Sequence, residues 1–254
     1  MDPERLVPPE PDRPPPALQH RASPIPATTF VWVIAAINVL VWVAMELTGG
    51  STNTRNLIQF GAKVNQLIAQ GEYWRLITPI FIHIGPMHLL FNTIALLSFG
   101  RLAEILYGHA RFVAIYLVSG MTGVALSYFF SRSLSAGASG ALFGLAGALL
   151  VFFFNNRRVP GISAQGQLGG MIMLLVINGV YGVIAPGIDN WGHAGGLIGG
   201  LALAVWLVPR VVPVGEPGGE PVGLRLQPSS TVSWLSVPAV LAILFVAVRT
   251  IPPR

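Results

Sequence analysis

The sequence predicts an all-α polytopic membrane protein, and three observations carry that expectation. Its 254 residues are 53% hydrophobic and only 10% charged. Its mean hydropathy is +0.65. Its apolar residues are gathered into runs close to the ~20 helical residues needed to cross a hydrocarbon core of about 30 Å. Such runs carry too few charges to be solvated, so a soluble globule does not fit. Seven runs are candidate spans, at about 28–47, 86–104, 110–130, 139–154, 167–186, 190–208 and 232–251.

The elements follow in chain order. Residues 1–27 are rich in proline, with Pro14, Pro15 and Pro16 consecutive, and read as a disordered extension. The first apolar run begins too late and is too long for the h-region of a signal peptide, so it is expected to remain as a span. Residues 48–86 mix Asn53, Arg55, Lys63, Gln70, Glu72, Tyr73, Trp74 and Arg75, and read as a long external loop, embedded in part through its aromatics. The six spans within 28–208 form one core. Residues 209–231, full of Pro and Gly, read as a flexible linker to a seventh span within 232–254.

The net charge of +5 is spread singly through loops, without the clustered stripe that nucleic acid requires. Topology accounts for it. Arg5, Arg13, Arg21, Arg101, Arg111, Arg157, Arg158, Arg210 and Arg225 fall on one side of the spans, against Arg55, Lys63, Arg75, Arg132, Arg249 and Arg254 on the other, and the positive-inside rule makes the richer side cytoplasmic. The N-terminus is then inside and the C-terminus outside. Cysteine is absent, which removes disulfides, thiolate catalysis and cysteine-ligated zinc. No metal or cofactor is expected.

Polar side chains within spans are costly and mark sites of function. Asn38 and Asn178 read as hydrogen-bonding glue between helices. Ser139 heads the fourth span and His193 stands near the head of the sixth, each fifteen residues before the inner end of its span. At about 1.5 Å per residue, both lie roughly 8 Å beneath the outer surface. His88 has nearly the same depth, and Asn92 is one turn below it on the same face. A neutral histidine can take the serine proton. The first N–H groups of a helix, with the side chains of His88 and Asn92, can donate to a developing oxyanion. Gly140 with Gly144, Gly195 with Gly199 and Gly196 with Gly200 have the small-xxx-small spacing that lets helices approach in lipid. Asp189 lies four residues before His193 and could complete a triad, yet Asp189 and Asn190 stand where the sixth helix needs a cap. A Ser139–His193 dyad is the better reading. Phe143, one turn below Ser139, either packs on the His193 imidazole or makes an ordinary core or lipid contact.

These residues resemble the rhomboid intramembrane serine proteases over roughly residues 60–208. The resemblance is carried by Trp74-Arg75 in the first loop, His88-xxx-Asn92, Gly137-Ala138-Ser139-Gly140, and His193-xx-Gly196-xxx-Gly200. It implies a Ser139–His193 dyad and an oxyanion hole from His88, Asn92 and the Ser139 backbone. It also implies a structural Trp74-Arg75 loop, single-pass membrane proteins as substrates, and a six-plus-one helix arrangement. The lack of a transit signal and the chain's length point to a bacterial-type plasma membrane, and the shallow depth of Ser139, which water must reach, puts the opening of the site on the external side. Gly192 departs from the alanine common in the family before the histidine. Two other readings compete: an inactive relative that binds transmembrane segments, which would be expected to lack Ser139 or His193, and a transporter, which would place charged groups near the midplane.

Overall fold

The computed structural model describes residues 28–159, 187–214 and 223–253, with Gly169, Ile172, Met173 and Val176 between them. The first span is α1 (Thr29–Thr48), an apolar helix that turns Trp32, Leu40 and Leu47 outward. In lipid an outward apolar face is the stable one, because its side chains match the hydrocarbon while the helix satisfies its own backbone polar groups. Asn38 is buried on the opposite side, facing Tyr116.

The segment expected as a loop contains two short helices, α2 (Thr54–Phe60) and α3 (Asn65–Ala69), and two 3₁₀ turns, Tyr73–Leu76 and Thr78–Phe81. Asn53 caps α2 by accepting from the Arg55 and Asn56 N–H groups. Arg75 is only 4% exposed. Its Nη1 donates to the carbonyls of Ile58 (2.8 Å) and Ala62 (3.0 Å), and its Nε donates to Glu72 (2.6 Å). The Arg75 guanidinium also lies 4.3 Å from the Trp74 ring centre. One side chain thus ties the two halves of the segment together, and leaves its charge neither unpaired nor unsolvated.

The second span, α4 (Pro86–Tyr107), contains a π-helical stretch at Leu96–Gly100. Gly108 turns the chain into α5 (His109–Phe130). Glu104, 1% exposed, fastens this corner to α1: its oxygens accept from the Phe30 and Val31 N–H groups at 2.9 Å, and His109 Nδ1 lies 2.5 Å from the same carboxylate. A carboxylate at a helix N-terminus is favoured by the unpaired N–H groups and the dipole.

Helices α6 (Ser139–Asn155) and α7 (Asn190–Leu207) pack against α5 in the centre of the bundle. Their contact is backbone against backbone. A Cβ on Gly196 would lie 1.9 Å from the Gly140 carbonyl oxygen, and one on Gly200 would lie 2.0 Å from that of Gly144. Only glycine permits this approach. At 17 residues α6 is shorter than α1, α4 and α5, and α7 carries the polar residues Asn190 and His193 in its first turn. Most of α6 is buried among its neighbours, whereas α7 turns Trp191, Ile198, Val205 and Trp206 outward. The expected fifth span, 167–186, lies outside the described residues apart from four helical positions, as do Asn178 and the extension 1–27.

The expected linker differs from a flexible tether. Residues β1 (Arg210–Val214) and β2 (Gly223–Gln227) pair antiparallel, with Arg210 opposite Gln227 and Val212 opposite Arg225. The β-branched run Val211-Val212 favours extended backbone, and Val211 and Leu226 pack on the helical core. Asn156 anchors the entry: its Oδ1 accepts from Val211 N at 2.8 Å and its Nδ2 donates to the Pro209 carbonyl at 3.3 Å. The last helix, α8 (Ser236–Thr250), returns along α5. Val248 is buried with Ile68, Leu76 and Tyr128, so the end of α8 stands at the same end of the bundle as α3. The protein is an integral, multi-pass, all-α membrane protein with one small appended hairpin.

Candidate active site

Ser139 is the first residue of α6, so its N–H is among the donors that a helix leaves unpaired at its start. The loop before it is fixed at two points: Ser135 forms an antiparallel bridge with Lys63, and Gly137 N donates to the Pro79 carbonyl at 2.8 Å. Gly137 has φ +137°, and a Cβ there would meet the His88 ring at 2.6 Å. Glycine is therefore required twice at this position, for its backbone angle and for contact with the imidazole.

His193 lies in the first turn of α7. Its Nε2 is 2.9 Å from Ser139 Oγ. For Nε2 to receive the serine proton, the neutral ring must carry its own proton on Nδ1. Nδ1 is buried and has no hydrogen-bond partner among the described residues. The Asp189 carboxylate is engaged elsewhere, accepting from Gly192 N at 2.9 Å as the cap of α7. The His193 ring is held instead by Phe143, stacked at 4.4 Å between centroids and 7° between planes. Below both helices, α5 comes close at Gly123, where a Cβ would lie 2.6 Å from the Gly192 carbonyl.

His88, near the start of α4, accepts at Nδ1 from Ile84 N at 3.3 Å. That bond assigns the proton of the neutral ring to Nε2, the edge beside Gly137. Asn92 Nδ2 donates to the His88 carbonyl at 2.9 Å, which fixes the amide and leaves one N–H to offer. A cavity of about 850 Å³ joins His88, Asn92, Gly137, Ser139, Phe143 and His193. Trp74, Arg75, Gly196 and Gly200 are not in its lining; they hold the segment 48–86 and the α6–α7 crossing. Among the described residues no group of acids, histidines and cysteines has the arrangement of a metal site.

Two residues beside the site carry no motif in the sequence. His83 is fully buried, with its ring edge-on to His88 at 5.3 Å between centroids. Burial, then His88, pushes its pKa down to about 3, only partly offset by the Phe81 backbone, so the ring is neutral. Lys63 is fully buried as well. The signal for His83 is a polar residue within an apolar stretch, Phe81-Ile82-His83-Ile84, whereas Lys63 stands in a mixed segment where a lysine is ordinary.

Fold and site together define a helical membrane protein with a serine and a histidine in hydrogen-bonding contact at the heads of two adjacent helices. The family model for the Rhomboid domain matches residues 70–210. The chain is 49% identical over 179 residues to "Rhomboid protease GluP" of Bacillus subtilis (strain 168), an alignment covering 70% of this chain and 35% of that protein. It is 32% identical over 194 residues to "RHOMBOID-like protein 9, chloroplastic" of Arabidopsis thaliana, covering 75% of this chain and 44% of that one. With "RHOMBOID-like protein 5" of the same plant it shares 31% over 233 residues, covering 78% and 74%. The chain belongs to the rhomboid family. It spans between about a third and a half of the length of the first two relatives.

Proposed function

We propose that the chain is a serine endopeptidase that hydrolyses peptide bonds in or near the transmembrane segments of other membrane proteins. The observation that carries this reading is the 2.9 Å contact between His193 Nε2 and Ser139 Oγ within the cavity. His193 takes the Ser139 proton as Oγ attacks the scissile carbonyl carbon. The carbonyl oxygen becomes an oxyanion, to which the Ser139 N–H, His88 Nε2–H and Asn92 Nδ2–H donate. The intermediate collapses with loss of the amine, which receives its proton from His193. His193, neutral again, then takes a proton from water as its oxygen attacks the acyl-Ser139 ester, and returns that proton to Ser139 Oγ as the acid product leaves. Family membership, with a relative named as a protease at 49% identity, supports the same reaction.

A dyad is favoured over a triad because Asp189 is engaged in capping, while Phe143 supplies the orienting contact. Single-pass proteins are the substrates that this reading favours, since one helix can be unwound at its end and enter the cavity from the lipid. The site opens to the external side, and the membrane is a bacterial-type plasma membrane.

The test is cleavage of a single-pass test substrate by the purified protein in detergent, without ATP or metal. Ser139→Ala and His193→Ala are each expected to abolish cleavage while unfolding at the wild-type temperature. Full activity in either folded variant would remove the dyad. An inert wild-type protein that still captures the substrate would favour a binding role.

A further inference from the structure

Lys63 is a fully buried lysine in the segment between α2 and α3, beside the loop that leads to Ser139. An ammonium loses strong hydration on burial, and remains stable only where acceptors replace the water. Lys63 Nζ donates to the carbonyls of Ser131 at 2.7 Å and Ser133 at 3.0 Å. Its main chain adds a bond in each direction with Ser135, Lys63 N to Ser135 O at 2.8 Å and Ser135 N to Lys63 O at 3.3 Å. Asn65 Nδ2 reinforces the bracket at the carbonyls of Tyr128 (3.1 Å) and Ser131 (2.9 Å). From Ser135 only four residues remain to Ser139.

The geometry points to Lys63 as a positioning residue for the nucleophile: its buried ammonium gathers the carbonyls of the α5–α6 loop and so sets where Ser139 meets His88 and His193. The inference rests on the proposed serine chemistry, and adds a charge that no step of that chemistry uses. It matters because a displacement of about 1 Å at a reacting group costs on the order of 100-fold in rate.

The same burial makes the bracket sensitive to pH. Desolvation pulls the Lys63 ammonium down to about 8, against the opposing pull of Asp189 at the head of α7. Between about 8 and the ordinary 10.5, the unfolded chain holds a proton that the folded one has released. Stability therefore rises with pH across that window. The bonds to Ser131 and Ser133 meanwhile lose their charge assistance, although a neutral amine keeps two donors. Positioning and stability move in opposite directions, which separates them by experiment.

The experiment measures kcat and KM for a single-pass test substrate from about pH 6 to about pH 9.5, with the unfolding temperature at each pH and Ser139→Ala as the blank. The wild-type kcat is expected to fall with a midpoint near 8 while the unfolding temperature does not. Lys63→Met fills the space without the charge; its kcat should be about tenfold lower, with KM within about twofold and no step near that pH. Lys63→Arg keeps the charge and should restore kcat with an alkaline limb that stays flat. A Lys63→Met protein with wild-type kcat and an unchanged alkaline limb would overturn the proposal. If that variant fails to fold, Lys63→Arg decides: an alkaline limb unmoved in Lys63→Arg overturns it equally. Cleavage by the blank would instead overturn the serine chemistry, and this inference with it.

Discussion

At the scale of single residues, the site assigns different work to three side chains, two polar and one aromatic. Asp189 stands four residues from His193, yet its carboxylate accepts from Gly192 N and so acts on the start of α7. Asp189→Ala is expected to lower stability by about 1 kcal/mol, the usual loss at an N-cap, and to change kcat by less than about tenfold. A triad aspartate would cost about 10⁴-fold. His88→Ala, by contrast, should lower kcat on the order of 100-fold with little change in KM, because an oxyanion donor acts on the transition state. Steady-state kinetics on the two variants, with thermal unfolding of each, checks both halves. Phe143 shows why spacing alone left its role open: a residue one turn below Ser139 could pack on the His193 imidazole or make an ordinary core or lipid contact, and the two rings lie only 7° from parallel.

At the scale of elements, α6 and α7 are held by an absence of side chains. Gly140 and Gly144 offer their carbonyls to Gly196 and Gly200 at distances where a methyl group has no room. Gly196→Ala and Gly200→Ala must push the helices apart, at an expected cost of about 1–3 kcal/mol each, read as a lower unfolding temperature in detergent. Gly223→Ala is the control, since nothing lies within 4 Å of its would-be Cβ and its stability should be unchanged. The same separation would lengthen the 2.9 Å contact of His193 with Ser139, so activity should fall in the two helix variants below their unfolding temperatures. The small-xxx-small spacing was legible in the sequence. That both faces meet each other, with α5 sealing them at Gly123, was not.

At the scale of the whole molecule, the bundle is closed at opposite ends by two buried charges. Lys63 binds the segment 48–86 to the α5–α6 loop at the end that carries Ser139. Glu104 binds α1 to the corner of α4 and α5 at the far end. Glu104→Ala strands the Phe30 and Val31 N–H groups and His109, and is expected to cost about 1.5–3 kcal/mol in unfolding experiments. Because Glu104 has no contact with the cavity, kcat measured well below the unfolding temperature should stay close to wild type. A large loss of kcat in a folded Glu104→Ala protein would show that α1 and the site are coupled.

The sequence by itself determined that the chain is a helical membrane protein, because hydropathy over ~20 residues is a one-dimensional property that lipid reads directly. It also singled out Ser139, His193, His88 and Asn92, since polar groups are few within apolar runs and stand out there. The tertiary structure alone decided what connects distant parts of the chain. Lys63 meets Ser131 across 68 positions, Glu104 meets Val31 across 73, and Asn156 meets Val211 across 55. In each case a polar group that looks ordinary in sequence is stable in the interior only because a particular backbone N–H or carbonyl is brought to it. No local pattern encodes that partner, and hence the pairing of β1 with β2 and the bracket beneath Ser139 emerge only once the helices have packed.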